Sequence, residues 1–313
     1  MSLRVSSTAN LYLFKRMFGL QARDQAKLSE QIASGKKINR VSDDPIAAKA
    51  LSAFKENLGR TDQYLRNINY ADRSWRQIES SISQVNDLMI RARDLAIQAN
   101  SSSLGDEGRE AIAEEVAQLS QQLLSIANTR VGREYIFAGQ ATSTEPFVLD
   151  VNFPNATPAA TFAGSTDLKN IQIGESQTFE TQIRMDEILL GDGNPGSVDI
   201  FQSLANLEVA LRANNIDDTD PASVGQALED LNLGLERVQR ELSNIGGKTN
   251  RLENTKKSLD DHRVLTQEFV SNLQDVDLSE VIYEFQKSQT ALQATIGVAG
   301  QVLGVQSLMD FLR

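Results

Sequence analysis

The chain of 313 residues has 31 Lys and Arg against 42 Asp and Glu, which gives a formal net charge of −11. Phosphate backbones and anionic lipid surfaces repel a net-acidic chain, so nucleic acid is not an expected partner. The sequence has no cysteine and a single histidine, His262. This composition excludes disulfides, thiolate nucleophiles and thiolate zinc sites, and it disfavours an enzyme that relies on acid–base or metal chemistry.

Residues 1–40 form a basic segment with a net charge of +6. Five of its apolar side chains recur at roughly helical spacing and are expected to form an assembly surface: Leu11, Phe14, Phe18, Leu28 and Ile32. Burying five such side chains contributes about 8–15 kcal/mol, whereas ordering about forty backbones costs about 40–80 kcal/mol. We therefore expect this arm to be mobile until neighbouring chains cover it. Neither a bilayer-spanning apolar run nor a cleaved signal peptide is indicated.

A long helix is predicted next. Asp43-Asp44-Pro45 indicates a capped helix start with proline at the first helical position, and the helix would run to Ala99, on the order of 80 Å. Its apolar or small residues advance in steps of three and four, as in a coiled-coil seam: Trp75, Ile78, Ile82, Val85, Met89, Ala92, Ala96 and Ala99. The rhythm resumes after a break at 100–108, which predicts a second helix folding back along the first.

Between about residues 135 and 198 the helical rhythm stops. Proline and glycine separate short runs at 146–153, 170–173 and 178–183, which predicts a small β-rich insertion. A short amphipathic helix follows, with four leucine or phenylalanine side chains on one face: Phe201, Leu204, Leu207 and Leu211.

The downstream half mirrors the upstream half. From Asp220-Pro221 onwards a heptad-like series runs from Leu231 to Leu273, and its polar members can fix the register between helices. A final helix is predicted to start at Asp277, with Glu280 completing a capping box. Its apolar residues form the second half of the expected assembly surface: Leu278, Ile282, Phe285, Leu292, Ile296 and Leu303.

The two ends carry opposite charge, because residues 274–313 have a net charge of −3. The ends can therefore pair with each other or with other copies of the chain, although both arms could also simply cap the helical bundle. The expected fold is mainly α: a long antiparallel helical hairpin or coiled-coil bundle built from both chain ends, with a small β-rich central insertion. We expect an N-terminal assembly arm at 1–42, long core helices at 43–135, an outer insertion at 136–198, returning core helices at 199–273 and a C-terminal assembly arm at 274–313.

Motifs with chemical meaning are weak in this sequence. GGKT at 246–249 resembles the end of a phosphate loop, but Leu242 stands where such a loop needs glycine, and heptads surround it instead of a strand. His262 follows two aspartates on a predicted helix, which is typical of a solvated histidine. Asp43 and Asp44 precede a proline, so helix capping is a better account of them than a catalytic dyad. We predict no catalytic residue, no cofactor and no metal.

Four blocks of sequence resemble the bacterial flagellin family. SGKKINRVSDDP at 34–45 is similar to the N-terminal signature of that family, and RARDLAIQAN at 91–100 is similar to its second block. NTRVGREYIFAG at 128–139, and QTALQA at 289–294 with the ending SLMDFLR, are more similar to the hook-associated protein 3 branch than to filament flagellins. The resemblance covers roughly residues 1–145 and 220–313.

The resemblance implies a structural axial protein of the bacterial flagellum, exported uncleaved through the flagellar secretion channel and located outside the cell at the hook–filament junction. The implied partners are copies of itself in a ring, hook-associated protein 1 on the hook side, flagellin on the filament side, the export apparatus and an export chaperone. In this family the terminal segments are disordered in the monomer and form the inner layer after assembly. A short filament flagellin, a secreted coiled-coil adaptor and an enzyme built on the insertion are the alternatives.

Overall fold

The computed structural model describes the backbone of residues 2–101, 104–191, 193, 197–216 and 220–311, and the side chains of those residues that lie between 12 and 298. The chain divides into two compact units. The central unit is Thr61–Asp260, and the terminal unit combines Met1–Arg60 with Asp261–Arg313. Within the described residues, no helix combines the length and the apolar character that crossing a membrane requires.

Helices dominate the described chain, as predicted. The elements in chain order are α1 (Ser2–Ser34), α2 (Pro45–Ala99), α3 (Asp106–Ala127), β1 (Arg130–Val131), β2 (Glu134–Tyr135), β3 (Phe147–Leu149), β4 (Ala160–Phe162), β5 (Asn170–Gln172), β6 (Thr178–Glu180), α4 (Met185–Leu189), α5 (Ile200–Arg212), α6 (Val224–Gln274) and α7 (Leu278–Phe311).

The long helix α2 has both of its predicted ends. Its first turn is capped by Asp44, whose Oδ1 accepts hydrogen bonds from the backbone N–H groups of Ile46 at 3.1 Å and Ala47 at 3.0 Å. None of the eight seam residues predicted between Trp75 and Ala99 is more than 1% exposed. The three-and-four spacing therefore marks the buried face of α2 correctly.

Helix α3 folds back along α2, as the sequence predicted. Near one end of this pair Arg109 Nε donates to the backbone oxygen of Ala99 at 3.1 Å, and further along Arg91 Nε donates to Glu115 Oε1 at 2.7 Å. Residue numbers rise along one helix as they fall along the other, so the two helices are antiparallel.

The β-rich insertion consists of three separate two-stranded antiparallel sheets, β1–β2, β3–β4 and β5–β6. The β1–β2 pair begins at Arg130, before residue 135, where the insertion was expected to start. Gly132, with φ of 65°, lies in the two-residue turn that joins β1 to β2. Phe147 of β3 and Phe179 of β6 are buried in the same core as Trp75. Helix α4 lies inside the region expected to be β-rich and was not predicted.

The returning helices complete the core of the central unit. Helix α5 confirms the predicted short amphipathic helix, since its four predicted apolar residues are all buried. Helix α6 begins at Val224, later than Asp220-Pro221 suggested, because Ser223 provides the cap: its Oγ accepts from the Gln226 N–H at 3.2 Å. In this unit Lys248 Nζ of α6 lies 5.1 Å from the ring centroid of Trp75 on α2.

Candidate assembly surface

The two predicted arms pair with each other in the terminal unit. Helices α1 and α7 pack together, and Thr295 Oγ1 donates to Gln21 Oε1 at 3.2 Å. Lys36 and Asp275 form an antiparallel bridge where α1 ends and α7 is about to begin, so the helices run in opposite directions. The predicted pairing of the chain ends is therefore present within one chain.

A backbone clasp joins the loop after α1 to the short link before α7. Lys37 N donates to Gln274 O at 2.6 Å, and Val276 N donates to Gly35 O at 3.1 Å. Gly35 adopts a left-handed conformation, with φ of 68°, where α1 ends. These bonds join the end of α1 to the start of α7 through backbone groups alone.

The aspartate pair at 43 and 44 organises the same loop. Asp43 Oδ2 accepts hydrogen bonds from the backbone N–H of Arg40 at 2.8 Å and of Asn39 at 3.1 Å. These two bonds hold the pKa of the half-buried Asp43 carboxyl below its ordinary value, with Lys27 and Arg40 adding a smaller effect. Asp44 caps α2. Both carboxylates therefore have structural roles, as the adjoining proline suggested.

Nine of the eleven residues predicted to form the assembly surface have described side chains, whereas those of Leu11 and Leu303 lie outside the described residues. Five are half-buried: Phe14, Leu28, Ile32, Phe285 and Leu292. Four are exposed, by 38% for Phe18, 47% for Leu278, 43% for Ile282 and 52% for Ile296. The structure thus brings members of both predicted stripes into one helix pair and leaves part of each stripe uncovered.

Sequence reasoning missed further exposed apolar side chains on the same two helices. They are Tyr12, Leu13, Met17 and Leu20 on α1, and Tyr283 and Val298 on α7. Leu13, Met17 and Leu20 follow i, i+4, i+7 spacing, so a search for a second stripe in the N-terminal arm would have found them. A helix that is apolar on more than one face needs more than one neighbour to bury it.

Charge pairing contributes less to the arm contact than the opposite net charges suggested. Among the described side chains of the arms, the ion pairs join Lys27 to Asp43, Arg40 to Glu30 and Lys287 to Glu284, which in each case belong to the same arm or its adjoining loop. Within this described set no ion pair links α1 to α7. Packing and the Thr295–Gln21 hydrogen bond hold the two helices together.

The residues of the two weak motifs, GGKT and His262, make contacts with neighbouring side chains. Lys248, of the GKT sequence, pairs with Glu180 at 3.0 Å in the central unit. His262, in the terminal unit, is exposed and its Nδ1 lies 2.9 Å from Thr266 Oγ1. In the described part of the chain, no group of three or more histidine, cysteine, aspartate or glutamate residues could hold a metal ion.

Comparison with known families identifies the long helices. The helical region at the N-terminus of bacterial flagellin matches residues 11–142, and its C-terminal helical region matches residues 226–312. The chain belongs to the bacterial flagellin family. Together the two matched regions contain α2, α3 and most of α6 and α7 of this flagellin-family protein.

Individual relatives come from two kinds of flagellar protein. Flagellar hook-associated protein 3 of Escherichia coli is 28% identical over 285 residues, which are 86% of this chain and 87% of that protein. The 31.3 kDa core protein of the Treponema maltophilum flagellar filament is 26% identical over 299 residues, 95% of this chain and 96% of that protein. The crystal structure of the Legionella pneumophila flagellar junction protein covers 72% of this chain and 100% of its own, with a TM-score of 0.60 and 16% identity, which shows a shared fold.

Proposed function

We propose that this flagellin-family protein is a structural subunit of the flagellum that forms the layer between hook and filament through self-assembly of its terminal arms. The observation that carries the proposal is the apolar surface left exposed on the paired helices α1 and α7. The similarity to hook-associated protein 3 and the fold of a junction protein support the same position in the flagellum.

The exposed surface needs neighbouring chains. Phe18 on α1, and Ile282 and Ile296 on α7, each leave more than a third of their surface in water. Burying one large apolar side chain fully contributes about 1.5–3 kcal/mol. Each additional chain packed against the helix pair would gain several such contributions, so the arms are expected to be ordered most strongly in the assembly.

In this proposal the direct partners are copies of the chain in a ring, hook-associated protein 1 towards the hook and flagellin towards the filament. The chain acts outside the cell and carries out no catalysis. It reaches its position through the flagellar export apparatus, with an export chaperone and without cleavage of a signal peptide.

A short filament flagellin is the second candidate. The Treponema maltophilum filament protein favours it, because the match extends over nearly the whole of both chains. The two functions differ in symmetry: a filament subunit must bind copies of itself without limit along the axis, whereas a junction subunit must present different surfaces to hook and filament.

Immunogold labelling of isolated flagella tests the location. A single zone of label at the distal end of the hook is the expected result. Label along the full length of the filament would replace the junction assignment with that of a filament flagellin.

Assembly of the pure protein tests the same distinction independently. Added to sheared filament seeds or to precipitating salt, the protein is expected not to grow long filaments, and deletion of its gene should leave hooks intact while flagellin is released into the medium. Micrometre-long filaments grown from the pure protein would contradict the junction proposal.

A further inference from the structure

A groove in the central unit lies between α2 and the strand pair β1–β2. Its volume is about 340 Å³. Side chains from several segments line it, including Tyr70, Arg73 and Gln77 of α2, Val131 and Tyr135 of the strand pair, and Lys169 just before β5. The partly exposed ring of Tyr70 and the exposed Val131 make part of this surface apolar, and the two cations lie beside them.

The cations of the groove are available to an acidic partner. Lys169 Nζ lies 5.2 Å from the centroid of the Tyr70 ring and 3.3 Å from its hydroxyl. Arg73 is exposed and forms no ion pair within the described part of the chain. Arg76, about one turn further along α2, forms an ion pair, unlike Arg73: its Nε lies 3.0 Å from Asp72 Oδ2. The groove also contains Glu134, which offsets one positive charge, so its lining remains net positive in a strongly acidic chain.

The opposite charge lies on α3 of the same unit. The acidic face is defined by four exposed carboxylates: Asp106, Glu107, Glu110 and Glu114. Arg212 of α5 pairs with Glu110, with Glu114 at 2.8 Å and with the buried Glu208 at 3.1 Å. One guanidinium thus serves three carboxylates, and the acidic face keeps an excess of negative charge.

The groove and the acidic face cannot meet within one chain. The contact between Arg91 and Glu115 places the C-terminal side of the acidic face about 21 Å along α2 from Gln77, at 1.5 Å per residue over fourteen residues. Because α3 runs antiparallel to α2, the rest of the acidic face lies still further from the groove. Two copies can bring these surfaces together in a head-to-tail contact, and such contacts produce closed rings when the rotation between copies closes.

We propose that the groove lined by Arg73 and Lys169 receives the acidic face of α3 from a neighbouring copy in the assembled layer. The inference rests on the proposed function, because it requires copies of the chain to stand side by side. Opposite charges set the orientation of the neighbour, and the exposed parts of Tyr70 and Val131 offer an apolar surface to the aliphatic parts of the glutamate side chains. Groove against groove, or acidic face against acidic face, would bring like charges together.

Disulfide cross-linking tests the contact directly, because the chain has no cysteine of its own. Gln77→Cys lies in the groove and Ala111→Cys lies on the exposed surface of α3, so the double variant keeps every charge of both surfaces. Cysteines more than about 7 Å apart at their Cα atoms cannot form a bridge, so a bridge within one chain is excluded. We expect mild oxidation of flagella carrying this double variant to produce dimers and longer ladders of the chain.

Glu79→Cys combined with Ala111→Cys is the matched control, because Glu79 is exposed on the other flank of the same stretch of α2. This pair is expected to remain monomeric after oxidation. A Gln77–Ala111 double variant that assembles normally but forms no dimers, or a control pair that cross-links equally well, would overturn the contact.

Charge reversal gives a second measurement that does not depend on disulfide geometry. Arg73→Glu with Lys169→Glu, and Glu107→Lys with Glu110→Lys, are each expected to lower swimming to the level of the deletion strain when expressed alone. A mixed population can form groove–face contacts between the two variants, so co-expression should restore at least part of the motility. Arg76→Glu is the control and should swim normally. Failure of co-expression to restore motility, with both variants folded by circular dichroism, would contradict the proposed partner surface.

The two levels of proposal can be separated. If wild-type protein is absent from the hook–filament boundary, the proposed function fails, whereas the cross-link still reports on whichever axial structure contains the chain. If wild-type protein is at the boundary and the Gln77–Ala111 cross-link does not form there, the groove contact fails alone.

Discussion

The central and terminal units are built from similar amphipathic helices, yet they bury their apolar faces to very different extents. Trp75 and Phe201 of the central unit have no exposed surface, whereas Phe18 and Ile296 of the terminal unit are 38% and 52% exposed. In the central unit, helices and strand pairs surround a common core. In the terminal unit, α1 and α7 offer each other one face and leave others in water.

The comparison shows that an apolar stripe predicts burial only where the chain supplies enough neighbours. In the central unit, the folding of a single molecule buries the apolar stripes in one core. The stripes on α1 and α7 stay partly exposed within one molecule, which is the condition expected of elements that order during the proposed assembly. Four substitutions are expected to change the unfolding free energy of the monomer by decreasing amounts. The first and the last test the difference between the units, and the other two examine the packing of the central unit.

The largest effect is expected from Trp75→Ala. The indole is buried, donates from Nε1 to the backbone oxygen of Glu180 at 2.8 Å, and packs edge-on against Phe179 at 5.7 Å between ring centroids. Its removal leaves a large cavity and should lower the unfolding free energy by about 3–5 kcal/mol in urea denaturation. Phe18→Ala in the terminal unit is the control and should cost less than about 1 kcal/mol. Equal losses would contradict the difference between the units.

A pH-dependent effect is expected from Asp199→Asn. Burial raises the pKa of Asp199 to about 6, against the hydrogen bonds that it accepts from the first turn of α5 and the attraction of Arg237. Between about pH 4 and pH 6 the folded protein therefore holds a proton that the unfolded chain has released, and its unfolding free energy falls as pH rises through this range. Asparagine caps helices as well as aspartate but carries no charge. We expect the variant to be about 3 kcal/mol more stable than wild type at pH 7.5 and nearly equal to it at pH 4.

Asp199→Ala separates this charge effect from the cap. It removes the hydrogen-bond acceptor at every pH and should be less stable than Asp199→Asn by about 1 kcal/mol at both pH 4 and pH 7.5. A constant difference between wild type and Asp199→Asn across this pH range would show that the carboxyl does not titrate as described.

A smaller gain is expected from Gly247→Ala in α6. Apart from its chain neighbours and the backbone of its own helix, no atom lies within 4 Å of a Cβ added at Gly247. Alanine should therefore raise the unfolding free energy by about 1 kcal/mol through helix propensity alone. Gly234→Ala in the same helix is the matched control. There the new Cβ would meet Ile200 Cγ1 at 3.0 Å and Met89 Cε at 3.1 Å, so the gain should be lost or reversed. Thermal melting of both variants measures the contrast.

The smallest effect on the monomer, and a complete effect on assembly, is expected from Ile282→Asp. The side chain is 43% exposed, so the unfolding free energy should change by less than about 0.5 kcal/mol. In the assembly an unpaired carboxylate on this surface would cost several kcal/mol, so swimming should fail while circular dichroism barely changes. Val151→Asp introduces the same charge at a side chain that is 96% exposed in the central unit and should leave swimming intact. Normal swimming of Ile282→Asp would remove Ile282 from the assembly surface.

Much of this fold could be predicted because helical signals are local. A cap and a proline lie next to the start of α2, and the three-and-four spacing of its seam is visible within any two turns. The same holds for the apolar face of α5 and for the start of α7, where Asp277 Oδ1 accepts from the backbone N–H of Ser279 at 2.8 Å. The strands could be located only approximately, because each short strand is defined by its hydrogen bonds to a partner strand on the other side of a loop.

Part of the candidate assembly surface was also accessible to sequence reasoning. The stripes that include Phe14 and Phe285 were predicted from spacing, and the structure brings both helices together. The second stripe through Leu13 and Met17 was missed, because one apolar face is enough to predict a helix. The number of helices that pack against it cannot be read from a short stretch of sequence. The charge contrast between the arms was visible, whereas the side chains that actually meet were not.

The sequence by itself determined the long helices, their buried seams and the lack of a convincing catalytic motif, since each depends on residues a few positions apart. Only the tertiary structure decided that Arg109 is a buried clamp, whose Nη1 donates to Asn214 Oδ1 at 2.6 Å across 105 residues, and that Lys248 of the GKT sequence pairs with Glu180. It also decided that Arg73 faces an open groove while Arg76 is paired. Such outcomes depend on which distant segments the packed core brings within a few ångströms of each other. The spacing of residues along the chain does not determine these distances in space.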